Sequence, residues 1–196
     1  DWAEWAVAKL AALIGVPTAT TLPAHYNGRR GILSKSVVSG GGRLVHGNEL
    51  LARAIPGYDA DSERHNPGYT VDAIQEALAH VGAPKDCGPS VESAFDALAG
   101  YMMLDAWVAG RDRHHENWAV ITDAGPSRLA PSYDHGNALG FQESEQKIAV
   151  LAADNTRLRD WSQRGKSHHF AGKPTLIDVA VDALIHATPK ARNYWL

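Results

Sequence analysis

A single cysteine, Cys87, stands in this chain of 196 residues, so no disulfide can form within it. That excludes a fold held by covalent staples, and a reducing cytoplasm is the expected compartment. Cys87 lies in Lys85-Asp86-Cys87-Gly88-Pro89, a loop composition, and reads as an ordinary loop thiol rather than a nucleophile. No apolar run approaches the length of a membrane span, so no membrane partner is expected. Basic charge is not in excess. The formal net charge is −3, and direct nucleic-acid binding therefore has no electrostatic support. There is no internal repeat and no low-complexity tract. The opening Asp1-Trp2-Ala3-Glu4 is no signal peptide and reads as if it begins inside a helix. The closing Asn193-Tyr194-Trp195-Leu196 carries two aromatics that read as exposed and no stop signal. Both ends read as those of a piece of something longer.

What is present is ordinary for a globular fold. The apolar fraction of 44% supplies a core for one domain, or for one large lobe and part of another. Helical spacing of Trp2, Trp5, Ala6, Leu10, Leu13 and Ile14 predicts a first helix over 2–14, which Gly15 ends and Pro17 keeps from restarting. Trp2 and Trp5 read as packing residues on its apolar face, and Asp1 and Glu4 have capping-box spacing. A β-rich stretch follows, with a hairpin turn at Asn27-Gly28 and a strand over 31–38. Gly40-Gly41-Gly42 lacks the spacing of a phosphate loop and reads as a plain turn. Residues 55–69 read as a loop. Thr70 caps a helix closed by Gly82, and Ser90 caps a longer one ended by Gly110. Strands are expected over 118–122 and 128–133, the second at an edge because of Pro131. A helix over 176–185 is the clearest of the remainder.

The chemistry is concentrated in Asp112-Arg113-His114-His115-Glu116-Asn117 and Asp134-His135-Gly136. A short hairpin between them returns Asn117 and Asp134 to one place, and the helix ending at Gly110 delivers Asp112 to the same rim. Two carboxylates and an amide oxygen are hard ligands suited to Mg²⁺. Phosphoryl transfer requires this set: one Asp for the substrate hydroxyl, an Asn five positions on for a metal, and an Asp on the far strand bridging metal and phosphates. Gly136 is expected to be glycine because the chain must turn sharply there. The competing reading makes Asp112 a cap or a partner of Arg111 or Arg113, Asn117 a turn residue, and Asp134 the start of a type I turn.

These residues carry a resemblance. The segments 112–118 and 129–140 resemble the HipA-like serine/threonine kinase family, and Asp112-Arg113-His114 with Asn117 also resembles the phosphoinositide kinases. Residues 4–15, 30–36 and 44–50 extend the resemblance over most of the chain. It implies an α+β protein-kinase-like fold: residues 1–50 as the remaining part of a small β-rich lobe with the hinge, and 51–196 as a mainly helical catalytic lobe. It implies ATP and Mg²⁺ as cofactors, Asp112 as catalytic base, Asn117 and Asp134 as metal ligands, and His114 as a structural residue of the loop. Glu4 would pair with the ATP-binding lysine, and Ser34, Lys35 and Ser36 would lie along the adenine. The acceptor would be a serine or threonine of a protein substrate, with an antitoxin-like protein as a possible partner. The sequence departs from the family in having no lysine strand ahead of Glu4, so weak or absent transfer is expected of these 196 residues alone.

Other readings compete. A silent binding or regulatory module of a toxin–antitoxin system would keep the fold without the activity. A metal-dependent hydrolase could draw on His114, His115, His135, His168 and His169, but His-Glu-x-x-His is absent and adjacent histidines diverge. Gly165-Lys166-Ser167 fails the phosphate-loop pattern because position 160 is Asp. Packing is the expected role of Trp118, while Trp107 and Trp161 carry no assignment.

Overall fold

The computed structural model describes residues 2–38 and 40–196. The expected pairing of Asp1 with Glu4 lies outside the described residues. Helix α1, Trp2–Leu13, buries Ala3, Glu4, Val7 and Ala11. That stripe of mostly small side chains lets the backbone approach the core. Trp2 and Trp5 lie on the other side, 52% and 37% exposed, so the packing role expected of them is corrected. They border an open groove with Pro23, Ala24, Ile32 and Phe141. Helix α1 ends at Gly15, whose φ of 74° suits a residue without a Cβ.

Strands β1, Thr21–Tyr26, and β2, Arg29–Ser34, pair antiparallel about Asn27-Gly28. Both turn residues have positive φ, the geometry that matches the twist of a two-residue hairpin. The strand expected over 31–38 therefore starts earlier and stops at Ser34. Its partner runs out at Thr21, and only the Lys35 amide reaches further, to the Thr20 carbonyl at 2.9 Å. Gly40 and Gly41 form a turn with positive φ. Strand β3, Arg43–His46, then pairs with β4, Ala119–Thr122, which pairs with the two-residue β5, Arg128–Leu129, giving the order β3-β4-β5.

Helix α2, Gly47–Ala54, starts beneath the Trp118 indole, where a Cβ on Gly47 would collide with the ring. Helix α3, Val71–Ala77, is capped by Thr70 as expected. Helix α4, Ala94–Val108, starts at Ser93 rather than Ser90. Ser93 and Asp96 form a reciprocal capping box there, while the Val91 amide is turned back to the Gly88 carbonyl. Apolar nearly all round, α4 is the central helix, and α7, α8 and β5 pack against it. Helices α5, Glu145–Ala153, and α6, Asn155–Gln163, bury no residue. Helix α7, Leu176–His186, has its own capping box of Thr175 and Asp178, and α8, Pro189–Trp195, closes the chain. Trp195 is buried against Gly100 and donates to the Asp96 carbonyl at 2.9 Å, which corrects its expected exposure. Among the described residues, no helix is long and apolar enough to cross a membrane.

Candidate active site

Helix α4 contains a carboxylate that its apolar surroundings cannot solvate. Asp105 is buried, and burial of an unpaired charge is prohibitive, so it demands a partner. Arg113 supplies one. Its Nε and Nη2 donate to the two Asp105 oxygens at 2.7 and 2.9 Å, a bidentate pair buried on both sides. The same guanidinium donates to the Asn117 carbonyl at 2.7 Å and to Ser132 Oγ at 3.1 Å. One side chain thus ties the end of α4, both ends of the 112–117 loop and the exit of β5. The competing reading had Arg113 as a partner for Asp112; it is instead the clamp that shapes the loop. Gly110 leaves room for the pair, since a Cβ there would sit 3.0 Å from Asp105 Oδ1.

Within the loop, Asn117 Nδ2 donates to the Asp112 carbonyl at 2.7 Å. The amide is thereby oriented, with Oδ1 left as its acceptor atom. The β4–β5 hairpin is continued by the Ala130 amide donating to Ala119, and Ser132 is held by main-chain bonds to Pro17 and Ala19. Asp134 follows two residues later. It has a φ of 60°, a left-handed conformation that Asp tolerates better than most residues. The sharp turn expected at Gly136 therefore falls on Asp134; a Cβ on Gly136 would meet nothing.

Glu4 enters this site from α1. Its carboxylate accepts the Asp134 amide at 3.1 Å, the His135 amide at short range, and His135 Nδ1 at 3.3 Å. Its oxygens are engaged by the Asp134-His135 segment. On its other side, His135 Nε2 meets Ser132 Oγ at 2.8 Å. Arg113, Ser132, His135 and Glu4 form one relay of donors and acceptors, satisfied with the imidazole proton on Nδ1. Burial alone would raise the Glu4 pKa, but the His135 side chain and the two amides more than reverse it, and the group is held below its ordinary value. Asp134 goes the other way. Burial raises it, and the neighbouring Glu4 and Asp112 carboxylates add to that.

Asp112 Oδ1 meets His169 Nε2 at 3.0 Å. This bond is the main cause of the lowered Asp112 pKa; burial opposes it, and Asn137 and the charges of His169 and His114 assist. His114 turns inside the loop, its Nδ1 accepting the Glu116 amide at 3.3 Å. A small cavity of about 10 Å³ lies among Asp105, Gly110, Asp112, Asp134 and Asn137, about the room that one water or small ion needs. Asp112 and Asp134 line this cavity together with Arg113 and His135, while Asn117 is joined through Nδ2 to the Asp112 main chain and does not line it. Two carboxylates are held there against their mutual repulsion, and this donor set fits Mg²⁺. Ser34, Lys35 and Ser36 are exposed at the end of β2 and bond locally, Ser36 Oγ to Val38.

The histidines do not share a centre. His115 Nδ1 meets the Tyr58 hydroxyl at 2.7 Å, His135 serves Ser132 and Glu4, and His169 serves Asp112. Among the described residues, the one group spaced to hold a metal is Glu63, His114 and Glu116, which has a single imidazole. Trp118 packs as expected. Trp161 donates to Glu143 at 2.9 Å beneath Arg111, and Trp107 is exposed. Burial pushes the Cys87 thiol up to about 12, in keeping with an unreactive loop thiol. Sequence reasoning missed the roles of Arg113, Asp105 and His169. The available signal was Asp105, an acid inside a helix that is apolar beyond its capping residue Asp96.

No protein-family model matches the chain, and no curated protein matches it. Among solved structures, it superposes on the crystal structure of CtkA, a proinflammatory kinase of Helicobacter pylori. The TM-score is 0.71 at 15% identity, over 97% of this chain and 70% of that one. The fold is protein-kinase-like.

Proposed function

We propose that this chain is the core of an ATP- and Mg²⁺-dependent phosphotransferase of the HipA-like serine/threonine kinase type. The observation that supports the reading is the small cavity lined by Asp112 and Asp134, beside the loop that Arg113 and Asn117 hold in shape. Asp112 receives the proton of the acceptor hydroxyl as its oxygen bonds to the γ-phosphorus and ADP leaves. Asn117 Oδ1 and the Asp134 carboxylate would hold Mg²⁺, which neutralises phosphate charge when bound. Ser34, Lys35 and Ser36, with Glu4 behind the Asp134 segment, belong to the nucleotide side in this reading. Residues 1–50 belong to the small lobe and 51–196 to the catalytic lobe in this reading. The acceptor is a serine or threonine of a protein, an antitoxin-like protein is the regulatory partner, and the setting is the cytoplasm.

The competing reading is a catalytically silent binding module that keeps the fold without the transfer. The two are separated by following γ-phosphoryl transfer from ATP to protein acceptors in the complete protein, alongside Asp112→Ala. Transfer abolished by Asp112→Ala, with ATP binding retained, supports the kinase reading. Transfer absent from wild type, or normal in the variant, ends it. Nucleotide binding itself is read from thermal stability, which saturating Mg²⁺–ATP raises by about 2.7 kcal/mol at a hundredfold excess over Kd.

A further inference from the structure

Behind the proposed base lies a buried histidine to which that reading assigns no role. His169 Nε2 is 3.0 Å from Asp112 Oδ1, and its Nδ1 is 2.7 Å from the Glu63 carbonyl oxygen. A carbonyl accepts only, and so does an ionised carboxylate. Neutral imidazole has one N–H and would leave a lone pair facing one of these oxygens. Imidazolium satisfies both. The exposures are unequal: the His169 side chain is 4% exposed and that of Asp112 is 34%. Asp112 therefore keeps a face open to solvent while His169 backs it from the interior. The loop carrying His169 is itself anchored. The His65 amide bonds to the His168 carbonyl at 3.1 Å, the Ala171 amide bonds to Tyr69 at 3.0 Å, and Phe170 lies against the Tyr69 ring.

We infer that His169 is a positioning residue for Asp112: a buried imidazolium, fixed by the Glu63 carbonyl, that holds the carboxylate in place with its open oxygen toward the acceptor hydroxyl. The inference rests on the kinase reading of the site. In phosphoryl transfer, orientation of the hydroxyl matters more than the strength of the base, so a cation that weakens Asp112 as a base can still promote the reaction by fixing it. The surroundings agree. Burial would lower the His169 pKa, yet the Asp112 and Glu63 bonds reverse this and leave it raised. The other groups facing the pair are the His114 ring, tilted against His169 with centroids 5.2 Å apart, with Arg64, His115 and His168 near His169, and Asn137 and Asp134 near Asp112.

The sign of the pH effect follows. Below the raised pKa the imidazolium holds Asp112; as pH rises through that pKa one proton leaves, a lone pair comes to face either the Asp112 carboxylate or the Glu63 carbonyl, and the two-sided hold on Asp112 is lost. Turnover in the complete protein then falls on the alkaline side. Two measurements test this. Nitrogen-15 NMR of this chain should show both His169 ring nitrogens protonated at neutral pH, and titration at a lower pH in Asp112→Asn. In transfer assays, His169→Ala should lower kcat about tenfold to a hundredfold with KM for ATP within about twofold. His169→Lys should recover part of the rate and move the alkaline limb upward, because a lysine titrates higher. A merely structural role would not move that limb. Neutral His169 by NMR with transfer intact overturns the inference and leaves the kinase reading standing. A protonated His169 in a protein without transfer removes the kinase reading and with it the catalytic role, leaving an ion pair only.

Discussion

Glu4 and His135, 131 residues apart in the chain, meet through two hydrogen bonds: the carboxylate of Glu4 accepts both the main-chain amide and the ring Nδ1 of His135. This contact seats α1 on the segment that bears Asp134. Helix α1 is thereby fastened to the segment that follows β5, and the conformation of Asp134 depends on a residue far from it in the sequence.

Replacing Glu4 by Gln puts amide hydrogens against the donors of Asp134 and His135. Loss of stability of about 1–3 kcal/mol is expected from urea denaturation at neutral pH. The native Glu4 pKa is depressed, so its contribution is present above the unfolded carboxylate value and disappears as pH falls through the native one. The difference between wild type and Glu4→Gln should therefore shrink on acidification. A constant difference from neutral to acid pH would show that the charge on Glu4 is irrelevant.

Arg113→Lys keeps the charge but loses the fork that reaches Asp105, Asn117 and Ser132 together. Truncation to Ala leaves Asp105 buried without its partner and should cost about 3–5 kcal/mol, with Lys recovering only part. The measure is the denaturation midpoint, with near-ultraviolet circular dichroism reporting Trp118 at the loop's end. A lysine variant as stable as wild type would mean that the bidentate geometry contributes nothing.

Asp134 sits beside Glu4 and Asp112 with a raised pKa, so its ionised form costs stability above the unfolded carboxylate value. Asn is neutral and tolerates the same left-handed φ. Asp134→Asn should raise the melting temperature of the metal-free protein while weakening Mg²⁺–ATP binding about tenfold or more. Isothermal titration calorimetry checks the second effect. Unchanged affinity would remove Asp134 from the metal site.

Gly47 is a test of packing rather than chemistry. A Cβ there would fall inside the Trp118 indole and 2.5 Å from the His115 carbonyl oxygen. Gly47→Ala should cost about 1–3 kcal/mol, as overpacking does. The companion Gly136→Ala, with nothing near its Cβ, should be nearly neutral. Equal costs at the two positions would contradict the packing around Trp118.

Local chemistry determined a good part of this molecule. The Asn27-Gly28 hairpin, the Thr70 cap and the long apolar helix before Gly110 follow from propensities and turn geometry that act over a few residues. So does the adjacency of Asp112 and Asn117, because a short loop leaves its two ends no other arrangement. The boundaries that shifted did so where a partner set them. Strand β2 stops at Ser34 because β1 ends opposite it, and α4 starts at Ser93 because Asp96 completes the capping box. Tertiary structure alone decided the contacts between distant segments: Glu4 on Asp134 and His135, His169 on Asp112, and Trp195 over Gly100. Those pairings depend on where buried charges and large rings find partners once the chain is compact. Sequence marks such a demand, as Asp105 does within α4, but the partner that meets it is set by the packing of the whole fold.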